Sequence, residues 1–163
     1  MDDLIQGILQ YASVDKIDNT EKKIDLNVLV RDVLDTVYHP SNITISIQEN
    51  LPIINGDDFR LKQLFQNLLS NAIKYCNQIK GDVALNYISK DNFWQFEITD
   101  NGMGIDAKYY KKIFQIFQVL EDSENSTGVG LSIVKKIVEF YGGKIWVTSK
   151  LKKGTTFYFT LPK

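Results

Sequence analysis

Asn67 and Asn71 lie one helical turn apart in the stretch DDFRLKQLFQNLLSNAIKY, Asp57–Tyr75, and Lys74 follows at the next turn. The stretch holds no Gly or Pro and opens on Asp57-Asp58, which suit the cap and first turn of a helix. At ~100° per residue, Arg60, Gln63, Asn67, Asn71 and Lys74 share an arc of about 80°. Beside it lies a broad apolar arc of Leu61, Leu64, Phe65, Leu68, Leu69, Ala72 and Tyr75. Asparagine is a poor interior helix residue because its amide competes for backbone hydrogen bonds. Two stacked amide oxygens, with an ammonium one turn on, could ligate a hard cation and an anion beside it. The plainer reading of the same arc is a solvated helix face.

Two further places could carry chemistry. The segment Phe93–Asp100 alternates, with Trp94, Phe96 and Ile98 on one face and Gln95, Glu97 and Thr99 on the other, so Asp100 falls on the apolar side. A carboxylate there requires a donor. The Asn101-Gly102-Met103-Gly104 that follows lets backbone approach closely, and a flat heterocycle bearing an amino group, such as adenine, would satisfy Asp100. The alternative is an Asp that simply accepts from the amides of its own turn. The third place is Gly128-Val129-Gly130, opening a helix whose inward residues are Leu131, Val134, Ile137, Val138 and Tyr141. Backbone amides at such a helix start form a natural phosphate cradle, although a lone GxG is weak by itself.

The elements that must position these groups read as follows. Residues 3–14 place Leu4, Ile5, Ile8, Leu9 and Ala12 at helical spacing, either as a terminal cap of the domain or as the tail of a helix from a dimer bundle. Residues 15–24 read as a polar linker. Asp25 caps a helix running to about Tyr38, which His39-Pro40 stops. Residues 43–48 alternate as a strand, residues 52–55 form a second short one, and 82–89 and 93–100 form a hairpin pair. Residues 106–117 predict a short helix ending in Phe114 and Phe117; 118–127 form a polar, acidic loop; 144–149 and 155–161 form a closing hairpin.

Composition bounds the class. The chain has 163 residues, 44% of them hydrophobic, enough to bury one core. A net charge of −1, with 19 basic and 20 acidic residues mixed along the chain, argues against a nucleic-acid or anionic-membrane surface. The single Cys76 excludes an internal disulfide and suits a reducing compartment. No apolar run approaches the ~18 residues of a membrane span, and the start lacks a signal peptide's basic region, so a cytoplasmic domain is expected.

Taken in order, the asparagine helix, the strand ending in DNGMG, the Phe-x-x-Phe segment, the polar loop and the TGVGL helix start resemble the ATP-binding domain of sensor histidine kinases. They match its N, first-glycine, F and second-glycine boxes, across roughly residues 25–163. The wider superfamily includes gyrase, MutL-type repair ATPases and a heat-shock chaperone. The resemblance implies the Bergerat fold, an α/β (α+β) two-layer sandwich with a mixed sheet of about five strands against three main helices. It implies ATP and Mg²⁺ as cofactors. Asn71 resembles the Mg²⁺ ligand, Asn67 a phosphate or metal-water contact, and Lys74 the lysine reaching the phosphates; these three are the expected catalytic group. Tyr75, Asp100, Gly102, Gly104 and Ile105 resemble residues around the adenine. Phe114 and Phe117 resemble the lid hinge, and Thr127, Gly128, Val129, Gly130 and Leu131 the phosphate-side turn, with Ser126 where many members have glycine.

The resemblance also sets expectations outside this chain. The family's phosphoacceptor is a histidine followed by an acidic residue on a preceding helix hairpin, which His39-Pro40 matches in neither motif nor position. Residues 1–16 are expected to be the end of that dimerisation hairpin, and 17–163 the ATP-binding domain. Implied partners are that hairpin, a second copy in a full-length homodimer, which membrane anchoring would not preclude, and a response regulator. Residues 113–134 lack Lys and Arg, while Glu121, Asp122 and Glu124 place negative charge in the expected lid. Two other functions fit the same residues: a related ATPase or serine kinase, and a non-enzymatic nucleotide-sensing docking module.

Overall fold

The computed structural model describes residues 2–15, 21–115 and 129–163, with side chains from Leu4 onward. Helices α1 (Asp2–Ser13), α2 (Leu26–Thr36), α3 (Asp58–Tyr75) and α4 (Gly130–Phe140) alternate with strands β1 (Lys22–Asp25), β2 (Ile43–Ile47), β3 (Ile53–Gly56), β4 (Gly81–Ser89), β5 (Phe93–Asp100), β6 (Ile145–Lys150) and β7 (Gly154–Pro162). A five-stranded sheet has the order β2-β4-β5-β7-β6; β2 runs parallel to β4 and every other pair is antiparallel. The expected mixed five-stranded sandwich is therefore present. Helices α2, α3 and α4 lend the buried faces of the core, including Leu29, Val33, Leu64, Leu68, Val134 and Ile137. Its centre is aromatic: the Phe96 and Phe159 rings stack at 5.0 Å, and Phe65 of α3 meets each edge-on, at 5.7 and 5.6 Å.

Local chemistry explains most boundaries. The Asp25 side chain accepts from the Asn27 amide and starts α2; Asp57 accepts from the Arg60 amide and starts α3. Alternation along β5 buries Phe96, Ile98 and Asp100 while leaving Gln95, Glu97 and Thr99 half-exposed. Two expectations need correction. Residues 22–24, read as the end of a linker, form β1 together with the cap residue Asp25; Ile24 is buried and pairs with Ile54 of β3 in a separate two-stranded sheet. A four-residue strand rich in lysine carries too little apolar alternation to be seen in isolation. The helix expected from residue 106 is instead two 3₁₀ turns, Ala107–Tyr109 and Lys112–Phe114. The loop 118–127 lies outside the described residues.

Helix α1 uses a different face from the one its strongest apolar residues suggest. Leu4 and Tyr11 pack against the core and Gly7 and Val14 are buried, whereas Ile5, Ile8 and Leu9 stay 56%, 41% and 61% exposed. Polar anchors fix the docked side. Arg60 Nε donates to the Val14 carbonyl at 2.8 Å, and Lys136 Nζ donates to the Tyr11 carbonyl at 2.9 Å while pairing with Asp15 at 2.8 Å. Both cations sit at the helix C-terminus, where the backbone leaves carbonyls unpaired.

Candidate functional site

The candidate residues are strung along α3. At its C-terminal end, the chain after β5 passes so close that a Cβ on Gly102 would stand 1.8 Å from the Tyr75 carbonyl oxygen. Gly104 has φ +78°, and a Cβ there would stand 2.3 Å from the Lys150 carbonyl oxygen. Both glycines are thus demanded by protein backbone, which locks the loop between α3 and the β6–β7 hairpin. Their expected role beside a purine comes in addition to this packing. Ile105 N donates to Ser149 Oγ at 2.7 Å, and Tyr110 and Ser149 exchange hydrogen bonds at 2.7 and 2.9 Å, holding the loop from its other side.

Asp100 closes this end. It is 6% exposed, and its Oδ1 accepts from the Gly102 amide at 2.8 Å. Burial dominates its ionisation and pushes the carboxyl from 3.8 up to about 6, against the opposing pull of the Gly102 and Thr155 backbone amides. The self-contained reading of this Asp is therefore realised in part. A carboxylate offers about four acceptor positions, though, and two backbone amides leave room for a further donor. Cys76, nearby at the end of α3, is buried, and its thiol is pushed up by burial and then by the Asp100 charge.

One and two turns back along α3 stand Asn71 and Asn67, both half-buried. Neither side chain hydrogen-bonds to any described residue, so both amides are uncommitted among the described residues. Asn67 Oδ1 lies 3.5 Å from where a Gly130 Cβ would stand, at the start of α4. Val129 precedes that helix and has no side chain able to cap it, so first-turn amides of α4 are left for another acceptor. From Asn67 to Tyr75 the helix rises ~12 Å. Lys74 is exposed with its ammonium 5.3 Å from the Tyr75 ring; Tyr75, Ile105 and Leu131 are half-buried and Val129 is buried. Phe114 meets Phe157 edge-on at 6.0 Å. Phe117, Ser126, Thr127 and Gly128, with the acidic Glu121, Asp122 and Glu124, lie outside the described residues.

The polar arc of α3 divides in two. Arg60 is buried, anchors α1 and stacks 4.2 Å over Phe140, while Gln63 is buried with neither Oε1 nor Nε2 meeting a partner among the described residues. Only Asn67, Asn71 and Lys74 remain for a ligand. An open cavity of about 240 Å³ adjoins Asn67 and is bounded also by Gln6, Gly7, Gln10, Val129 and Gly130. The α1 members of that set carried no sequence signal, since two glutamines on a polar helix face are commonplace. Among the described residues no cluster of three or more acidic, His or Cys groups forms a metal site. Mg²⁺, which ordinarily takes one or two protein oxygens plus phosphates and waters, fits an uncommitted Asn amide beside a phosphate site.

Known proteins share this fold. The family model described as histidine kinase-, DNA gyrase B-, and HSP90-like ATPase matches residues 56–163. The chain is 37% identical over 168 residues to cyanobacterial phytochrome B of a Nostoc species, covering 99% of this chain and 22% of that protein. It therefore spans about a fifth of that relative's length. The solved mycobacterial sensor histidine kinase MprB superposes with a TM-score of 0.78 at 26% identity, covering 88% of this chain and 97% of that one. Full-length ShkA in complex with AMPPNP also gives 0.78 at 26% identity, covering 98% and 35%. No helix among the described residues is long and apolar enough to cross a membrane.

Proposed function

Because the chain belongs to the histidine kinase-, DNA gyrase B-, and HSP90-like ATPase family, and is an ATP-binding catalytic domain of the sensor histidine kinase kind, we propose that it holds Mg-ATP along α3 for phosphoryl transfer to a histidine outside this chain. The observation that carries the reading is the ~12 Å line from Asp100 and Gly102 at Tyr75, past Asn71, to Asn67 and Gly130. It offers a buried acceptor at one end and uncommitted amides with a helix start at the other.

In this reading Asp100 accepts from the adenine amino group and fixes the ring against the loop of Gly102, Gly104 and Ile105, with Tyr75 alongside. Asn67, Lys74 and the backbone at Val129, Gly130 and Leu131 hold the phosphates and stabilise charge as the terminal phosphoryl leaves. Phe117, Thr127 and Gly128 complete the lid side. Mg²⁺, with Asn71 as its protein ligand, supplies neutralisation of phosphate charge when bound. His39 is followed by Pro40 rather than by an acidic residue and lies in the loop between α2 and β2, so it matches the acceptor in neither motif nor position. Residues 1–16 belong to the dimerisation hairpin and 17–163 to the catalytic domain; the exposed stripe of Ile5, Ile8 and Leu9 supports a helix-bundle partner in a homodimer. A response regulator receives the phosphoryl group, on the cytoplasmic side.

Calorimetric titration with ADP and a non-hydrolysable ATP analogue, each with and without Mg²⁺, tests the site. Binding of both, strengthened by Mg²⁺ and weakened at least ~10-fold by Asp100→Asn, is expected. A folded chain that binds neither nucleotide refutes it.

A further inference from the structure

The cavity at the phosphate end is shared between the catalytic domain and α1. Its walls are Asn67 of α3, Val129 and Gly130 at the start of α4, and Gln6, Gly7 and Gln10 of α1. The helix is not loosely apposed there. A Cβ on Gly7 would stand 3.3 Å from Val129 Cβ, so α1 approaches the start of α4 more closely than most side chains would allow. The anchors at Val14 and Tyr11, from Arg60 and Lys136, then fix both the depth and the rotation of the helix. That rotation turns Gln6 and Gln10, one turn apart, toward the same space as Asn67. Ile133 of α4 completes the lining.

We infer that α1 contributes to the nucleotide site itself: Gln6 and Gln10 donate amide hydrogens to the terminal phosphate of a bound triphosphate, opposite Asn67 and the first turn of α4. Glutamine suits the task because its NH₂ supplies two donors without fixing a charge in the pocket. The segment 113–134 contains no Lys or Arg, so the site needs donors from elsewhere to distinguish three phosphates from two. Helix α1 supplies them from outside the catalytic domain. The triphosphate is then gripped only while α1 is docked, and by reciprocity a bound triphosphate tightens α1 onto the domain where a diphosphate does not. This deepens the nucleotide-site reading above and rests on it.

The test is calorimetric titration of the whole chain with ADP and with a non-hydrolysable ATP analogue in Mg²⁺. Both glutamines are exposed on the helix, so Ala is tolerated there without disturbing α1. Gln6→Ala with Gln10→Ala is expected to reduce the preference for triphosphate over diphosphate by at least ~5-fold and to leave ADP affinity unchanged, as for lost hydrogen bonds to a charged group. Gln6→Glu, which puts a carboxylate beside the phosphate, should reduce it further. Gly7→Leu, which forces α1 away from Val129, should have the same selective effect with both glutamines intact. An unchanged preference in the double alanine variant overturns the inference while leaving the nucleotide site standing, as does an equal fall in both affinities. Failure of the unmodified chain to bind ADP overturns the nucleotide site and this inference together.

Discussion

Replacing Asp100 by asparagine separates what the carboxylate does for binding from what it does to stability. Burial raises its carboxyl from 3.8 to about 6, so the folded chain holds the proton more tightly than the unfolded chain does. Below pH ~4 both states are protonated and no penalty is present. As pH rises toward ~6 the unfolded chain ionises first and stability falls; above ~6 the full penalty remains. At ~1.4 kcal/mol per pH unit, the gap between 3.8 and about 6 corresponds to ~3 kcal/mol. Asp100→Asn keeps an oxygen for the Gly102 amide, now 2.8 Å away, and carries no charge to bury. Its NH₂ faces the Thr155 amide as a second donor, which takes back part of the gain. The variant should therefore be ~1–3 kcal/mol more stable than the parent at pH 8 and within ~0.5 kcal/mol of it at pH 4. Urea denaturation at both pH values measures the difference, and ADP titration measures the accompanying loss of affinity. A difference that does not change with pH, or a variant less stable at pH 8, would refute the argument that a buried charge is maintained here for binding.

Gly102→Ala puts a methyl group 1.8 Å from the Tyr75 carbonyl oxygen, where only backbone can give way. It should destabilise by at least ~2 kcal/mol and abolish ADP binding, checked by thermal unfolding and calorimetry. Asn71→Asp should change the Mg²⁺ dependence of triphosphate binding while leaving ADP binding without metal nearly unaltered; a metal titration matching wild type moves the ligand elsewhere. Arg60→Ala removes the 2.8 Å bond to Val14 and the contact with Phe140. It should cost ~2–4 kcal/mol and speed amide exchange in α1 ahead of α3, and equal rates in the two helices would contradict the anchoring role.

The sandwich was legible because its main helices and longer strands carry strong periodicity and their own caps, Asp25 and Asp57 among them. Asp100 was legible for a related reason: period two leaves no freedom about which face a strand's last residue occupies. What escaped notice depended on distant pairing. Lys22–Asp25 becomes a strand only because Ile53–Gly56 lies beside it. The face by which α1 docks carries little apolar signal: Ile5, Ile8 and Leu9 outweigh Gly7 on any apolar scale, yet the closer approach to Val129 is made by the glycine. Arg60 and Gln63 share an arc with Asn67 on the helical wheel. A wheel cannot say that a second helix covers one half of that arc and leaves the other open.

The strand order carries a consequence for how this chain comes into being. Strand β7, the last of the seven strands in chain order, is an inner strand, seated between β5 and β6. Until it arrives, β5 has one bare edge and β6 has no neighbour, so five strands cannot close in the order in which they are synthesised. Thr155 is the register partner of Asp100 and lies near the start of that late strand. The environment of the buried carboxylate therefore forms only once β7 has paired, together with the sheet. Pairings this far apart in sequence are slow to close. Premature termination near residue 153 would leave an open β5 edge rather than a shortened margin, a species prone to pairing with its own kind.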